Sequence, residues 1–224
     1  MIAAAGSGTR LGAGRPKALL PLGGEALIRH SLRAFLEHPG IGPVAAAVPD
    51  PGEASAIVGS GDPRLLWVRG GATRQASVRA ALAILPETDL ILVHDAARPF
   101  VGRSLIDAVI DAARRHGAAV PVVPVPDTVK RQAPGGFVDA TVPREDLVLA
   151  QTPQGFRADL LRRAHAAAGD DLVEGTDDAM LVERLGEPVA VVPGSRANFK
   201  ITTPEDLALA EAILRSGDGS AVGG

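Results

Sequence analysis

Short apolar runs recur along this chain at Ile2–Ala5, Val44–Val48, Leu65–Val68, Leu90–Val93, Ala118–Val123 and Val189–Val192. They are continuous rather than alternating, the pattern of strands buried on both faces of a parallel sheet. Parallel neighbours need a crossover, and the intervals between runs carry helical periodicity. Ile28, Leu32, Phe35 and Leu36 share one helical face, as do Leu105, Ile106, Val109 and Ile110. Near the end, Thr203 reads as an N-cap. Pro204 then sits in the first turn with Glu205 and Asp206 at the positive helix end, and Leu207, Ala210 and Leu214 face the core. Alternating strands and helices predict an α/β fold: a mostly parallel sheet with helices on both faces. Ligands of such sheets bind beyond the carboxyl ends of the strands.

One stretch breaks the rhythm. Residues 124 to 147 hold Pro124, Pro126, Pro134 and Pro143, the pair Gly135-Gly136, and few apolar residues. Gly-Gly between two semi-extended segments reads as a hairpin. An isolated hairpin is marginal in water, so this one is expected to be a β-arm that leaves the sheet and is covered by a partner, most simply a second copy of the chain. At 224 residues the chain fits one domain, expected over 1–216 with a flexible tail at 217–224.

Composition removes several function classes. With no cysteine there is no disulfide, thiolate metal site or cysteine nucleophile, which is compatible with a cytoplasmic location. A formal net charge of −3 argues against a general nucleic-acid binder. No apolar run approaches the ~20 residues of a membrane span, and no basic segment followed by a long apolar one opens the chain, so neither a membrane partner nor a signal peptide is expected.

Chemistry concentrates after the first strand. The loop "AAAGSGTRLGAGRPKALLPLGG" spans residues 3 to 24 and places Gly6, Gly8 and Gly12 where backbone must approach a ligand. Amide groups in such a turn form an anion-binding nest, with Arg10 and Lys17 adding formal charge. The glycine spacing resembles a dinucleotide fingerprint, weak by itself. A nicotinamide-binding reading would give Asp50 the ribose and leave Arg10 and Lys17 unexplained. The segment "LILVHDAARPF" ends a strand on His94-Asp95. A carboxylate at that edge is placed to hold Mg²⁺ near a triphosphate, with Arg98 in reach of another phosphate. His94 reads as a packing or hydrogen-bonding residue rather than a base. In "GGATRQASV", Thr73, Arg74, Gln75 and Ser77 could line a base pocket, or Thr73 could be only a helix cap. Lys200 lies on an extended segment before the last helix. In "GTDDAM", Thr176 could reach a ligand, whereas Asp178 reads better as part of a helix start.

Taken together and in order, "AAGSGTRLGAGRPKALLPLGG", "GGATRQASV", "HDAARPF", "DTVK", "TPQGF", "GTDDA" and "NFKIT" with "PEDL" make the chain similar to the 2-C-methyl-D-erythritol 4-phosphate cytidylyltransferases. The resemblance covers residues 2 to about 215. It implies a Rossmann-like nucleotidyltransferase fold, a homodimer joined through the arm, and Mg²⁺ or another divalent cation. It also implies CMP transfer from CTP to a polyol phosphate in nonmevalonate isoprenoid biosynthesis. By position, it assigns Arg10 and Lys17 to the CTP phosphates, and Ala4, Ala5, Gly6 and Gly8 to the nucleotide. Gly71 and Ser77 would meet cytosine, and Asp95 the metal and ribose side, with Ala96 nearby. Arg98, Thr176 and Lys200 would face the second substrate and the reacting phosphates. Thr128 and Arg144 would reach the polyol phosphate held by the other subunit. A ribitol-5-phosphate cytidylyltransferase is the neighbouring alternative.

Overall fold

The computed structural model describes residues 1–6, 16–59 and 61–217. In chain order the elements are β1 (Ile2–Ala3), a 3-10 turn (Lys17–Leu19), β2 (Pro21–Leu22), β3 (Glu25–Ala26), α1 (Leu27–Leu36), β4 (Val44–Val48), α2 (Pro51–Val58), β5 (Leu65–Arg69), α3 (Arg74–Ile84), β6 (Leu90–Asp95) and α4 (Arg103–His116). There follow β7 (Ala118–Pro124), β8 (Val129–Gln132), β9 (Val138–Val142), β10 (Val148–Ala150), β11 (Gln154–Arg157), α5 (Ala158–Asp170), α6 (Asp178–Glu183), β12 (Ala190–Pro193) and α7 (Pro204–Arg215).

Every predicted apolar run contains a strand. β5, β4, β1 and β6 lie side by side in that order, all parallel. β4 shows why the runs are unbroken. Val44, Ala46 and Val48 pack against α1 and α2 on one face, while Ala45 and Ala47 join Val78, Ala81 and Leu82 of α3 on the other. Both faces are therefore dry and covered by helices. From β1 the chain moves outward through β4 to β5, then returns to place β6 on the opposite side of β1. That reversal opens a crevice above the carboxyl ends of β1 and β6, where sheets of this kind take their ligands.

Beyond β6 the sheet is mixed. β11 inserts antiparallel between β6 and β7, β10 pairs antiparallel with the end of β7, and β12 pairs with β7 in parallel. Neither β10 nor β11 was marked by an apolar run. The arm is present as its own two-stranded sheet, β8 against β9, and Gly135 and Gly136 turn it with φ of 87° and 86°. Positive φ at both turn positions suits glycine and penalises other residues. α7 starts as predicted, with a capping box between Thr203 and Asp206. Among the described residues no helix is long and apolar enough to cross a membrane.

Candidate active site

Asp95 is the last residue of β6, and its backbone is fixed from behind. Its N–H donates to Thr152 Oγ1 at 3.0 Å, and that oxygen lies 3.1 Å from His94 Nδ1. His94 Nε2 is 3.0 Å from the Arg98 carbonyl. A carbonyl can only accept, so Nε2 carries the ring proton and the Thr152 hydroxyl donates to Nδ1. Burial is the main reason the His94 pKa falls to about 4. Both ring nitrogens are engaged and the ring is neutral, so His94 is the structural residue its sequence setting predicted.

The Asp95 carboxylate carries two cations. Arg74 Nε donates to Oδ1 at 3.0 Å and Lys200 Nζ to Oδ2 at 2.7 Å. Burial works to raise the Asp95 pKa, but Arg74 first and Lys200 second outweigh it and hold the group well below the usual carboxylate range. Arg74 is itself shared. Its Nη1 donates to Asp178 Oδ2 at 2.7 Å, and Asp178 Oδ1 accepts from His165 Nε2 at 2.9 Å. Burial opposes the Arg74 charge, and the two carboxylates more than restore it. Asp178 is only 1% exposed. Burial pushes its pKa up, while His165 and Arg74 bring it below the ordinary value.

These groups border a cleft of about 540 Å³. Ala4, Ala5 and Gly6 line it beyond β1, and Lys17 enters from the 3-10 turn. Gly71, Ser77, Asp95, Ala96 and Lys200 complete the predicted set found there. The Gly70-Gly71 turn allows this closeness: a Cβ on Gly70 would stand 2.3 Å from the Ala5 Cβ. Gly71 N–H donates to Ser77 Oγ at 3.1 Å, which holds the turn against α3.

Not every candidate residue lies in the cleft. Gln75 is not a wall of the cleft. It is buried, donates to the Val173 carbonyl and accepts from Gly175 N–H, because it braces the loop after α5. Thr73 is both the N-cap of α3 and a lining residue of the cleft. At α6 the cap is Asp177, which frees Asp178 for the buried ion pair. Arg98 turns from the cleft and donates to the carbonyls of Asn198 (2.8 Å) and Ala150 (3.4 Å). Thr176 is exposed and meets Met180 Sδ. Thr128 and Arg144 lie outside the cleft on the arm segment, where Arg144 bonds the Pro126 carbonyl. Gly8, Arg10 and Gly12 lie outside the described residues. Asp50 caps α2 by accepting from Glu53 N–H at 3.0 Å, which accounts for it without a dinucleotide. Sequence reasoning missed the Arg74–Asp178–His165 chain; the signal available was two charged residues in the first turns of helices.

The sequence matches the family described as IspD: 2-C-methyl-D-erythritol 4-phosphate cytidylyltransferase, over residues 1–216. The chain belongs to that family. A 2-C-methyl-D-erythritol 4-phosphate cytidylyltransferase of Thermus thermophilus is 50% identical over 218 residues, covering 96% of each chain. The crystal structure of the protein so named from that organism superposes with a TM-score of 0.80, at 46% identity, covering 96% of this chain and 97% of the other. The 4-diphosphocytidyl-2C-methyl-D-erythritol synthase of Anaerococcus prevotii superposes with a TM-score of 0.82 at 31% identity, covering 96% of each. The cleft at the β1–β6 crevice is the candidate catalytic centre of this chain, because it gathers Lys17, Lys200, Arg74 and the ionised Asp95 at one strand edge.

Proposed function

We infer that the protein transfers CMP from CTP to 2-C-methyl-D-erythritol 4-phosphate, releasing pyrophosphate and forming 4-diphosphocytidyl-2-C-methyl-D-erythritol for isoprenoid biosynthesis. The observation that supports this most, beside family membership, is the convergence of Lys17, Lys200, Arg74 and Asp95 on one cleft. In our reading a phosphate oxygen of the polyol phosphate attacks the α-phosphorus of CTP in line. The new P–O bond forms as the bond to the β-phosphate breaks. The nucleophile is already an anion, so no general base is required, in keeping with an engaged, neutral His94. The difficulty is bringing anions together. Two like unit charges at ~4 Å repel by ~4 kcal/mol at an effective dielectric near 20. Fixed cations offset that repulsion and stabilise charge on the five-coordinate phosphorus. Lys17 and Lys200 take this part, joined by Arg10.

The donor set suits Mg²⁺ carried largely by the nucleotide. Asp95 offers one ionised carboxylate at the cleft floor, and among the described residues no cluster of three His, Asp or Glu forms a cage. Mg²⁺ sites on nucleotides use one or two carboxylates plus phosphate oxygens. Asp95 would hold the ion, which supplies charge neutralisation between phosphates. The backbone at Ala4, Ala5 and Gly6 would follow the nucleotide, with Ala96 beside the ribose and Gly71 and Ser77 at the cytosine; Gly8, to which the resemblance gives the same role, lies outside the described residues.

The arm completes this reading. Phe137 and Val138 are 75% and 65% exposed, and Leu147, Val148 and Leu149 are exposed beside it. A second copy covering this surface would form the homodimer and bring Thr128 and Arg144 to the neighbouring cleft. The test is pyrophosphate release with CTP and Mg²⁺, comparing methylerythritol phosphate with ribitol phosphate. Release with the first far exceeding the second is expected. Equal rates, or release only with ribitol phosphate, would overturn the substrate assignment.

A further inference from the structure

The two cations on Asp95 are not equivalent. Arg74 is held at both ends, by Asp95 through Nε and by Asp178 through Nη1. Asp178 is locked in turn by His165 and by its own backbone, since Gln154 Oε1 accepts from the N–H groups of Asp178 and Ala179. Lys200 has one hydrogen-bonding partner among the described residues, Asp95, and its side chain is 39% exposed at the cleft wall. One cation is built in; the other can exchange partners. If Lys200 leaves Asp95 for a substrate phosphate, Arg74 still compensates the carboxylate. Without Arg74, Lys200 would be the one cation hydrogen-bonded to this nearly buried carboxylate among the described residues and would be held there.

We propose that Arg74, anchored by Asp178 and His165, is a positioning residue that keeps Asp95 in place and so releases Lys200 to the reacting phosphates. This rests on reading the cleft as the cytidylyl-transfer site. Arg74 acts through Asp95 and Lys200 rather than on the substrates. Its loss should therefore appear in kcat rather than in either KM.

The test compares Arg74→Gln, Arg74→Lys, Asp95→Asn and the pair Arg74→Gln/Asp95→Asn in pyrophosphate release with CTP, Mg²⁺ and methylerythritol phosphate. Equilibrium CTP binding and thermal unfolding are measured alongside. Misplacing a reacting group by ~1 Å costs on the order of 100-fold, and Arg74→Gln is expected to lose about that in kcat. CTP binding and both KM values should stay within about 3-fold, under the 1 kcal/mol scale of a single neutral hydrogen bond. Arg74→Lys should recover much of the loss. The double variant should be no slower than Asp95→Asn alone, because a residue acting through Asp95 has nothing further to lose. Should Arg74→Gln unfold by stranding Asp178, Arg74→Met/Asp178→Asn removes both charges and is expected to show the same kcat loss in a folded protein. Full turnover in a folded Arg74 variant, a loss confined to KM, or an equal further loss in the Asp95→Asn background would each overturn the proposal. Wild-type protein that releases no pyrophosphate would instead overturn the functional reading beneath it.

Discussion

Around Asp95 the charged side chains are tied across the whole chain: Arg74 reaches Asp178 over 104 positions, and Lys200 reaches Asp95 over 105. In the arm the ties are local. Lys130 bonds Thr141 over 11 positions and Arg144 bonds the Pro126 carbonyl over 18. The cleft is therefore set by the fold itself, since its geometry cannot change without moving α3, α6 and β6 together. The arm is internally paired but has few such anchors, so its placement relies on whatever covers its exposed apolar residues. Preorganised charge suits the first region, which must hold phosphates rigidly. Recognition of a neighbour suits the second.

The sharpest separation of the two comes from the lysines. Lys17→Ala or Lys200→Ala should lower kcat by about 100- to 1,000-fold, the scale of losing one preorganised charge partner. Unfolding temperature should change little, as neither side chain is deeply buried. Steady-state assays paired with thermal melts check this, and near-normal turnover in both variants would remove the phosphate clamp. Next in size, Arg144→Ala should raise the KM for methylerythritol phosphate by about 10- to 100-fold, the loss of one charge-assisted hydrogen bond at ~1.5–3 kcal/mol. CTP affinity should stay unchanged. Equal loss toward both substrates would dissolve the distinction between arm and cleft.

Most of the sheet was legible because each parallel strand is apolar on both faces and announces itself as a run. β11 was not: in Gln154–Arg157 only Phe156 is a large apolar residue, and the strand is held by backbone pairing to β6 and β7. At the site, Lys17, Asp95 and Lys200 could be picked out because each ends or follows a strand near the crevice. Arg74 could be marked only as a pocket-lining candidate and Asp178 only as part of a helix start, since both occupy first turns of helices, where charged residues have a local explanation. Their pairing depends on how α3 and α6 pack. Arg98 shows the converse. Its position after β6 points to the cleft, but its Nη1 and Nη2 donate to two backbone carbonyls instead.

A smaller effect concerns the rear wall of the cleft. His94 is buried with a pKa near 4, against an ordinary value of 6.5. Between those values the unfolded chain binds a proton that the folded chain refuses, so stability falls as pH drops from 6.5 to 4, by up to about 3 kcal/mol. Above pH 6.5 this contribution is fully present. His94→Gln should flatten that part of the stability–pH curve in chemical denaturation, relative to the wild type. An unchanged slope would show that the ring is not buried neutral. The smallest expected effect lies at the arm tip: Phe137→Ser should alter the unfolding free energy of the dilute chain by less than about 0.5 kcal/mol. It should nevertheless weaken self-association in sedimentation, and unaltered self-association would argue that the tip faces solvent.

The central claim is that the β1–β6 crevice gathers cations to let repelling phosphates meet. A crystal structure with CTP and Mg²⁺ bound tests it most directly. The account predicts the triphosphate in the cleft, within hydrogen-bond reach of Lys17 Nζ, with the metal beside Asp95 and Arg74 still on Asp178. It would be contradicted by a nucleotide seated elsewhere, for instance in the cavity beside Arg114 and Arg157, with Lys17, Lys200 and Asp95 untouched.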